Sequence, residues 1–281
     1  MAGALYVVAT PIGNLSDLTL RAIDTLRTVH RIVAEDTRRT RALLSHLGIS
    51  GKPVDRLDAS ASAADVARVT AKLVEGESIA LCTDAGTPVV SDPGTALVRA
   101  AARAGARVIP IPGPSAVMAA LAVSGLCTGG FRFLGFLPRS GEARRAALAL
   151  ARDTPETVVL FESPQRLTAT LDDLAAQTPG REAVIARELT KLHEEIIPGT
   201  LADLAAGAAG REWLGEVTLV LGPFEASADQ DRAALSDEDL DRRIDADLAA
   251  GLRAKDIADT VAFETGRSRR ELYARVIARK R

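Results

Sequence analysis

Aromatic residues are scarce in this chain, at 3% of 281 residues. Its cores must therefore be built from Ala, Val, Leu and Ile, and the 47% hydrophobic content is enough for them. Lysine is also rare, confined to Lys52, Lys72, Lys191, Lys255 and Lys280, with arginine supplying the other basic charge. That bias goes with abundant alanine and is explained by a GC-rich genome, so it says nothing about RNA. No excess of one charge sign exists: the net charge is −2, so any nucleic-acid contact must come from local patches. Cysteine is limited to Cys82 and Cys127, without CxxC spacing, and histidine to the scattered His30, His46 and His193. A structural zinc site usually needs clustered ligands, so no metal is expected. Free, buried thiols suit a reducing cytosol, and a cytoplasmic location is expected. No apolar run approaches the roughly 18 residues that read as a membrane span. The opening segment lacks the basic start of a secretion signal and reads instead as a first strand.

What is present is alternation. Leu5–Ala9, Arg31–Ala34, Ser78–Thr83 and Arg107–Ile111 read as strands, separated by stretches of helical period such as Leu18–Val29 and Ala63–Leu73. This pattern predicts a largely parallel sheet with helices on both sides. After a Pro/Gly-rich crossing at Pro110–Ser115 the pattern restarts. Phe131–Phe136, Thr157–Phe161, Ala183–Ala186, Glu194–Pro198 and Val217–Leu221 read as strands, the later ones close enough to include antiparallel pairs. The expected organisation is two α/β domains, residues 1–114 and 115–225, a polar linker over 226–235, and a helical module over 236–281. In that module Leu235 and Leu240 can staple a helix capped by Ser236. Leu240, Ile244 and Leu248 share a face, and Gly251 ends the helix. A second helix stops at Gly266 and a third opens at Ser268, with Glu271 completing a capping box; the last two resemble a helix-turn-helix.

Open α/β sheets bind ligands beyond the carboxyl ends of their strands. Here those positions hold Thr10-Pro11-Ile12-Gly13-Asn14, Glu35-Asp36-Thr37-Arg38, Thr83-Asp84-Ala85-Gly86-Thr87-Pro88 with Ser91-Asp92-Pro93-Gly94, and Pro112-Gly113-Pro114-Ser115. Each turn alone is ordinary strand-to-helix punctuation. Four on one edge point to a ligand cleft. The first turn has one glycine, not G-x-G-x-x-G, and no Walker sequence exists, which argues against a dinucleotide or nucleotide phosphate. An adenosine ligand without phosphates fits, held by backbone groups and a carboxylate such as Asp84.

With Gly135-Phe136-Leu137-Pro138-Arg139, Phe161-Glu162-Ser163-Pro164 and Ala186-Arg187-Glu188-Leu189-Thr190-Lys191, these turns make seven ordered motifs. Together they resemble the ribosomal RNA small subunit methyltransferase I family, within the wider tetrapyrrole methylases. The resemblance covers residues 4 to about 222. It implies a two-domain α/β fold with S-adenosylmethionine bound between the domains, a homodimer, and methylation of a cytidine 2′-hydroxyl in the decoding region of 16S ribosomal RNA. By motif position the donor should contact Pro11, Asp84, Ala85, Gly86, Thr87, Ser115, Ala116 and Phe161. Two departures stand out: Asp58–Ser62 lacks the family's His/Asn/Glu-rich loop, and Gln165 stands where many relatives have His. Neither position can be an obligatory proton acceptor.

On the acceptor side, the candidates for substrate contact are Glu35, Asp36, Arg38 and Arg187, and for catalysis Glu188 and Lys191. Structural salt bridges are the competing explanation for each. Lys191 could act as a base only if its pKa fell. Rival readings are a tetrapyrrole or protein acceptor, or a non-catalytic RNA-binding assembly factor. The basic tail residues Arg267, Arg269, Arg270, Arg275, Arg279, Lys280 and Arg281 suggest a phosphate contact, or else a solvated C-terminal helix.

Overall fold

A computed structural model describes residues 2–89, 94–223, 237–265 and 269–279. Two five-stranded sheets organise the chain up to residue 223, and the three C-terminal helices form a separate unit. The first sheet contains β1 (Ala4–Val8), β2 (Arg31–Ala34), β3 (Val54–Arg56), β4 (Ile79–Cys82) and β5 (Arg107–Ile111), ordered β3-β2-β4-β1-β5. All its pairings are parallel. The helices α1 (Leu20–Thr28) and α2 (Thr37–His46) cover one face, where Leu26 and Leu44 pack with Ile32 and Ala80. Helices α3 (Ala63–Val74) and α4 (Thr95–Arg103) cover the other, where Leu73 and Leu97 meet Leu5, Val33 and Leu81. Burial on both faces is why β4 is an unbroken apolar run.

The helix α5 (Ala116–Ser124) leads into the second sheet: β6 (Phe131–Phe136), β7 (Thr157–Glu162), β8 (Glu182–Arg187), β9 (Glu195–Thr200) and β10 (Val217–Leu221). The order is β6-β7-β10-β8-β9, with β6 and β7 parallel and the other pairs antiparallel. The central strand β10 is buried throughout. Helices α6 (Gly141–Asp153), α7 (Pro164–Ala175) and α8 (Leu201–Ala208) pack on one face through Leu148, Leu167, Leu171 and Leu204. On the other face α5 packs Val117, Ala120 and Leu121 against Val159, Val184 and Val220. Ile12, from the turn after β1, is buried in this second core and ties the two halves together.

Several expectations change. The strand β3 was not foreseen: Val54-Asp55-Arg56 is a three-residue edge strand with no apolar run. The strands expected at Arg107–Ile111 and Glu194–Pro198 do hold their prolines, Pro110 in β5 and Pro198 in β9; both are edge strands, where a missing N–H costs no ladder bond. Cys82 is buried and burial pushes its thiol up to about 12, whereas Cys127 is exposed rather than buried. No described helix is long and apolar enough to cross a membrane.

In the C-terminal unit, α9 (Asp237–Ala249), α10 (Ala254–Thr265) and α11 (Arg269–Arg279) share a core of Leu240, Ile244, Ile257, Val261, Leu272 and Val276. Gly251 (φ +81°) follows α9. The linker over 226–235, the Ser236 cap, the stop at Gly266 and the cap at Ser268 lie outside the described residues, as do residues 91–93 of the Ser91–Gly94 turn.

Candidate active site

The turns after β1, β4 and β5 are stitched into one edge. Thr10 and Gly86 exchange both backbone hydrogen bonds (2.8 and 3.0 Å), and the Thr10 hydroxyl donates to the Thr83 carbonyl (3.1 Å). The Thr87 hydroxyl donates to the Pro114 carbonyl (3.1 Å). Gly86 has φ +81°, a conformation that glycine adopts without a Cβ penalty.

Beside this edge opens a cleft of about 550 Å³, within the usual range of about 300–1,000 Å³ for small-molecule sites. The first sheet contributes Ile12, Glu35, Arg39 and Asp84–Thr87, and the start of α5 contributes Ser115–Val117. The second sheet contributes Phe136, Phe161–Pro164 and Gly215–Thr218. Phe161 stands edge-on to Phe133 (centroids 4.9 Å) and tilted to Phe136 (5.5 Å), giving the cleft an aromatic wall. Glu162 is buried, accepts from the Ser163 N–H and the Thr170 hydroxyl (both 2.7 Å), and pairs with Arg166 (2.5 Å).

Of the residues expected at the donor, Asp84, Ala85, Gly86, Thr87, Ser115, Ala116 and Phe161 line this cleft; Pro11 lines a smaller neighbouring cavity instead. Asp84 accepts from the Asp36 N–H (2.9 Å) and lies 3.7 Å from Arg39. Glu35 also lines the cleft, and burial, reinforced by the Asp84 charge, raises its carboxyl above the ordinary range. Asp36 and Arg38 do not line it. They pair with each other (2.8 Å), and the Arg38 hydrogen bond holds the Asp36 carboxyl well below its usual range. The Arg38 side chain is 88% exposed.

Arg187, Glu188 and Lys191, at the end of β8, also stand outside the cleft lining. Arg187 pairs with Glu195 (3.0 Å) and donates to the Leu214 carbonyl (3.2 Å). Lys191 binds Glu188 (2.7 Å) and Glu216 (3.1 Å), and Glu216 does line the cleft. Glu188 in turn accepts from the Glu216 N–H (2.9 Å) and lies so close over Gly215 that a Cβ there would meet its Cδ at 2.3 Å. The loop carries two non-glycine residues at positive φ, Glu188 (+52°) and Thr190 (+66°), the kind of backbone strain that clusters at functional sites. It clasps the first sheet: the Asn14 N–H donates to the Thr190 hydroxyl (3.1 Å), and a Cβ on Gly13 would come within 2.4 Å of Lys191 Cγ. Burial works to lower the Lys191 pKa, but its hydrogen bonds to Glu188 and Glu216 outweigh it and raise the value. A proton acceptor needs a shift of the opposite sign.

Sequence reasoning missed Ile12, Arg39, Phe136 and Glu162–Pro164 as cleft residues, although each lies inside or beside a quoted motif. Gly215–Thr218 carried no signal. The search covered positions after strands, yet β10 runs antiparallel, so its amino end reaches the edge where β7 and β8 finish.

This arrangement has known relatives. Ribosomal RNA small subunit methyltransferase I from Xylella fastidiosa is 46% identical over 274 residues, covering 96% of this chain and 98% of the relative. Its namesake from Synechocystis is 42% identical, covering 96% of each chain. The family model for tetrapyrrole (corrin/porphyrin) methylases matches residues 4–205. The chain belongs to the tetrapyrrole methylases, in the small subunit methyltransferase I branch. The tetrapyrrole methylase fold also matches solved structures. Uroporphyrin-III C-methyltransferase from Thermus thermophilus superposes with a TM-score of 0.55 at 21% identity, covering 78% of this chain and 94% of that one. Diphthine synthase gives 0.54 at 19%, covering 78% and 90%. A further Thermus uroporphyrin-III C-methyltransferase structure (TM-score 0.53) is complexed with S-adenosyl homocysteine.

Proposed function

We propose that this chain transfers a methyl group from S-adenosylmethionine to the 2′-hydroxyl of a cytidine in the decoding region of 16S ribosomal RNA, as a cytoplasmic homodimer acting on the small ribosomal subunit. The observation that carries this is the 41–46% identity, over nearly the whole chain, to relatives named ribosomal RNA small subunit methyltransferase I. The cleft suits the donor. Its lining holds four carboxylates, Glu35, Asp84, Glu162 and Glu216, against one guanidinium, Arg39. Asp84, Glu162 and Glu216 are already paired with Arg39, Arg166 and Lys191, so the lining offers no uncommitted cation among the described residues to a phosphate-bearing ligand. Phe136 and Phe161 offer ring surface to an adenine, and Asp84, the Ala85–Thr87 backbone and the Ser115–Ala116 helix start offer polar partners.

When bound, S-adenosylmethionine supplies an electrophilic methyl on a sulfonium, chemistry that needs no Lewis acid. The protein's part is to align the acceptor hydroxyl, a term that can reach about 7–11 kcal/mol. A general base adds about 10²–10⁴-fold, so positioning is the larger contribution. Glu188 and Lys191 serve it by holding Glu216 at the cleft wall. Glu35, Asp36, Arg38 and Arg187 are the proposed RNA contacts, with exposed Arg38 suited to a phosphate.

The test is transfer of tritium from labelled donor to isolated small ribosomal subunits, followed by nuclease digestion of the RNA. Label recovered as 2′-O-methylcytidine is the expected result. Label on a base or on protein sinks the stated acceptor. Failure to bind S-adenosylmethionine by calorimetry removes the catalytic reading.

A further inference from the structure

Next to the donor cleft lies a second cavity of about 260 Å³. It is below the usual size of a site for a whole drug-sized ligand. Pro11, Leu15 and Leu43 give it apolar walls, and Thr40 lines it from α2. Arg39 and Asp84 line both this cavity and the cleft, so the two spaces meet at that ion pair. Thr40 is only 4% exposed. The Arg39 side chain is 65% exposed and keeps donor capacity beyond its single contact with Asp84.

Apolar walls, a threonine hydroxyl from α2 and a guanidinium at the rim are elements that can read an unstacked RNA base. Sequence-specific RNA recognition splays bases out, stacks them on apolar or guanidinium surfaces and hydrogen-bonds their edges. Enzymes that act on one nucleotide commonly pull it from its stack. We propose that this cavity receives the base of the acceptor nucleotide, with its ribose lying at the Arg39–Asp84 pair beside the donor cleft. This rests on the RNA-methylating reading above. Arg39 donates to the acceptor atoms of the base edge, and the Thr40 hydroxyl supplies a second hydrogen bond. Pro11 accordingly forms part of the acceptor pocket.

The experiment fills the cavity without touching the donor cleft. Ala42 lines it and is exposed on α2, so Ala42→Trp blocks it at a position that tolerates a large side chain. Expected are a loss of kcat/KM toward small ribosomal subunits of about 100-fold, and an unchanged donor affinity by calorimetry and melting temperature. Thr40→Val, which keeps the shape and removes the hydroxyl, should cost about tenfold. Ala71→Trp, on the exposed side of α3, is the control and should transfer methyl groups at the wild-type rate. Wild-type transfer by Ala42→Trp overturns the subsite while leaving the enzyme's function standing. A parallel fall in donor affinity assigns the cavity to the donor and overturns it too. A wild-type chain that methylates no subunit RNA overturns the functional reading, and the subsite with it.

Discussion

At the scale of single residues, Asp84 has the most to do. It meets the Asp36 N–H, Arg39 and both cavities. Asp84→Ala should therefore weaken S-adenosylmethionine binding in calorimetry without unfolding the chain; unchanged affinity would remove it from the donor site. Lys191 and Glu188 predict opposite pH behaviour. The Lys191 hydrogen bond, foremost, holds the Glu188 pKa down. Its contribution to stability is present above the unfolded carboxyl range and is lost as pH falls through the lower folded value. Glu188→Gln should flatten the acid limb of a melting-temperature profile. The Lys191 pKa is raised, so its contribution is complete below the ordinary lysine range and lost only as pH rises through the higher folded value. Near neutrality Lys191 stays charged. Lys191→Ala should slow single-turnover methylation and leave the shape of the pH–rate profile alone. A vanished basic-limb pKa with a loss of about 10²-fold or more would instead restore it as proton acceptor. The pairing of Glu188 with Lys191 was legible, because three residues across a turn reach one another. The positive φ at Glu188 and Thr190 was not, because neither residue type advertises it.

At the scale of elements, the loops decide more than the strands. Strand positions were legible wherever an apolar run carried them, as in β4 and β10, and illegible in β3, whose pairing is dictated by its neighbour β2. The clasp between the turn after β1 and the loop after β8 has a direct test in Gly13. An alanine Cβ there meets Lys191 Cγ at 2.4 Å, and Lys191 cannot move without leaving two carboxylates. Gly13→Ala should cost about 1–3 kcal/mol in denaturant unfolding. The double variant with Lys191→Ala should recover the stability but not the rate; no loss in the single variant would show that the clasp is loose. The basic tail also changes character. Arg275 bonds Asp241 (2.7 Å) and Arg279 bonds Asp241 and Asp245 (2.9 and 2.5 Å), so these two cations knit α11 to α9. Periodicity exposed the helical faces of this unit, but not which charges would face inward. Deleting residues 237–281 should leave donor affinity intact, weaken binding to ribosomal subunits and flatten its salt dependence, through Arg270 and the other basic residues of the segment. Identical affinity and salt slope with and without the segment would exclude an RNA role.

At the scale of the whole molecule, the two-sheet division was readable because the strand–helix alternation stops and restarts around Pro110–Ser115. The cleft was only partly readable: its first-sheet side and Phe161 follow strand ends, while Gly215–Thr218 lie on an antiparallel insertion. Donor chemistry on a sulfonium gives a further test. Activity should survive dialysis against a chelator, and loss restored by one divalent ion would reveal a missed requirement of enzyme or RNA. The insertion of β10 has its own consequence during synthesis. A chain emerging from the ribosome can complete its first sheet once Ile111 is out, but β7 and β8 must wait for Val217–Leu221 to fill the place between them. Until then two apolar strands present unpaired edges, the state most open to wrong partners. A chain ending just short of Val217 would keep all of α5 to α8 and still be unable to hold the second half together, so nascent fragments of that length should aggregate while those ending near residue 223 stay soluble.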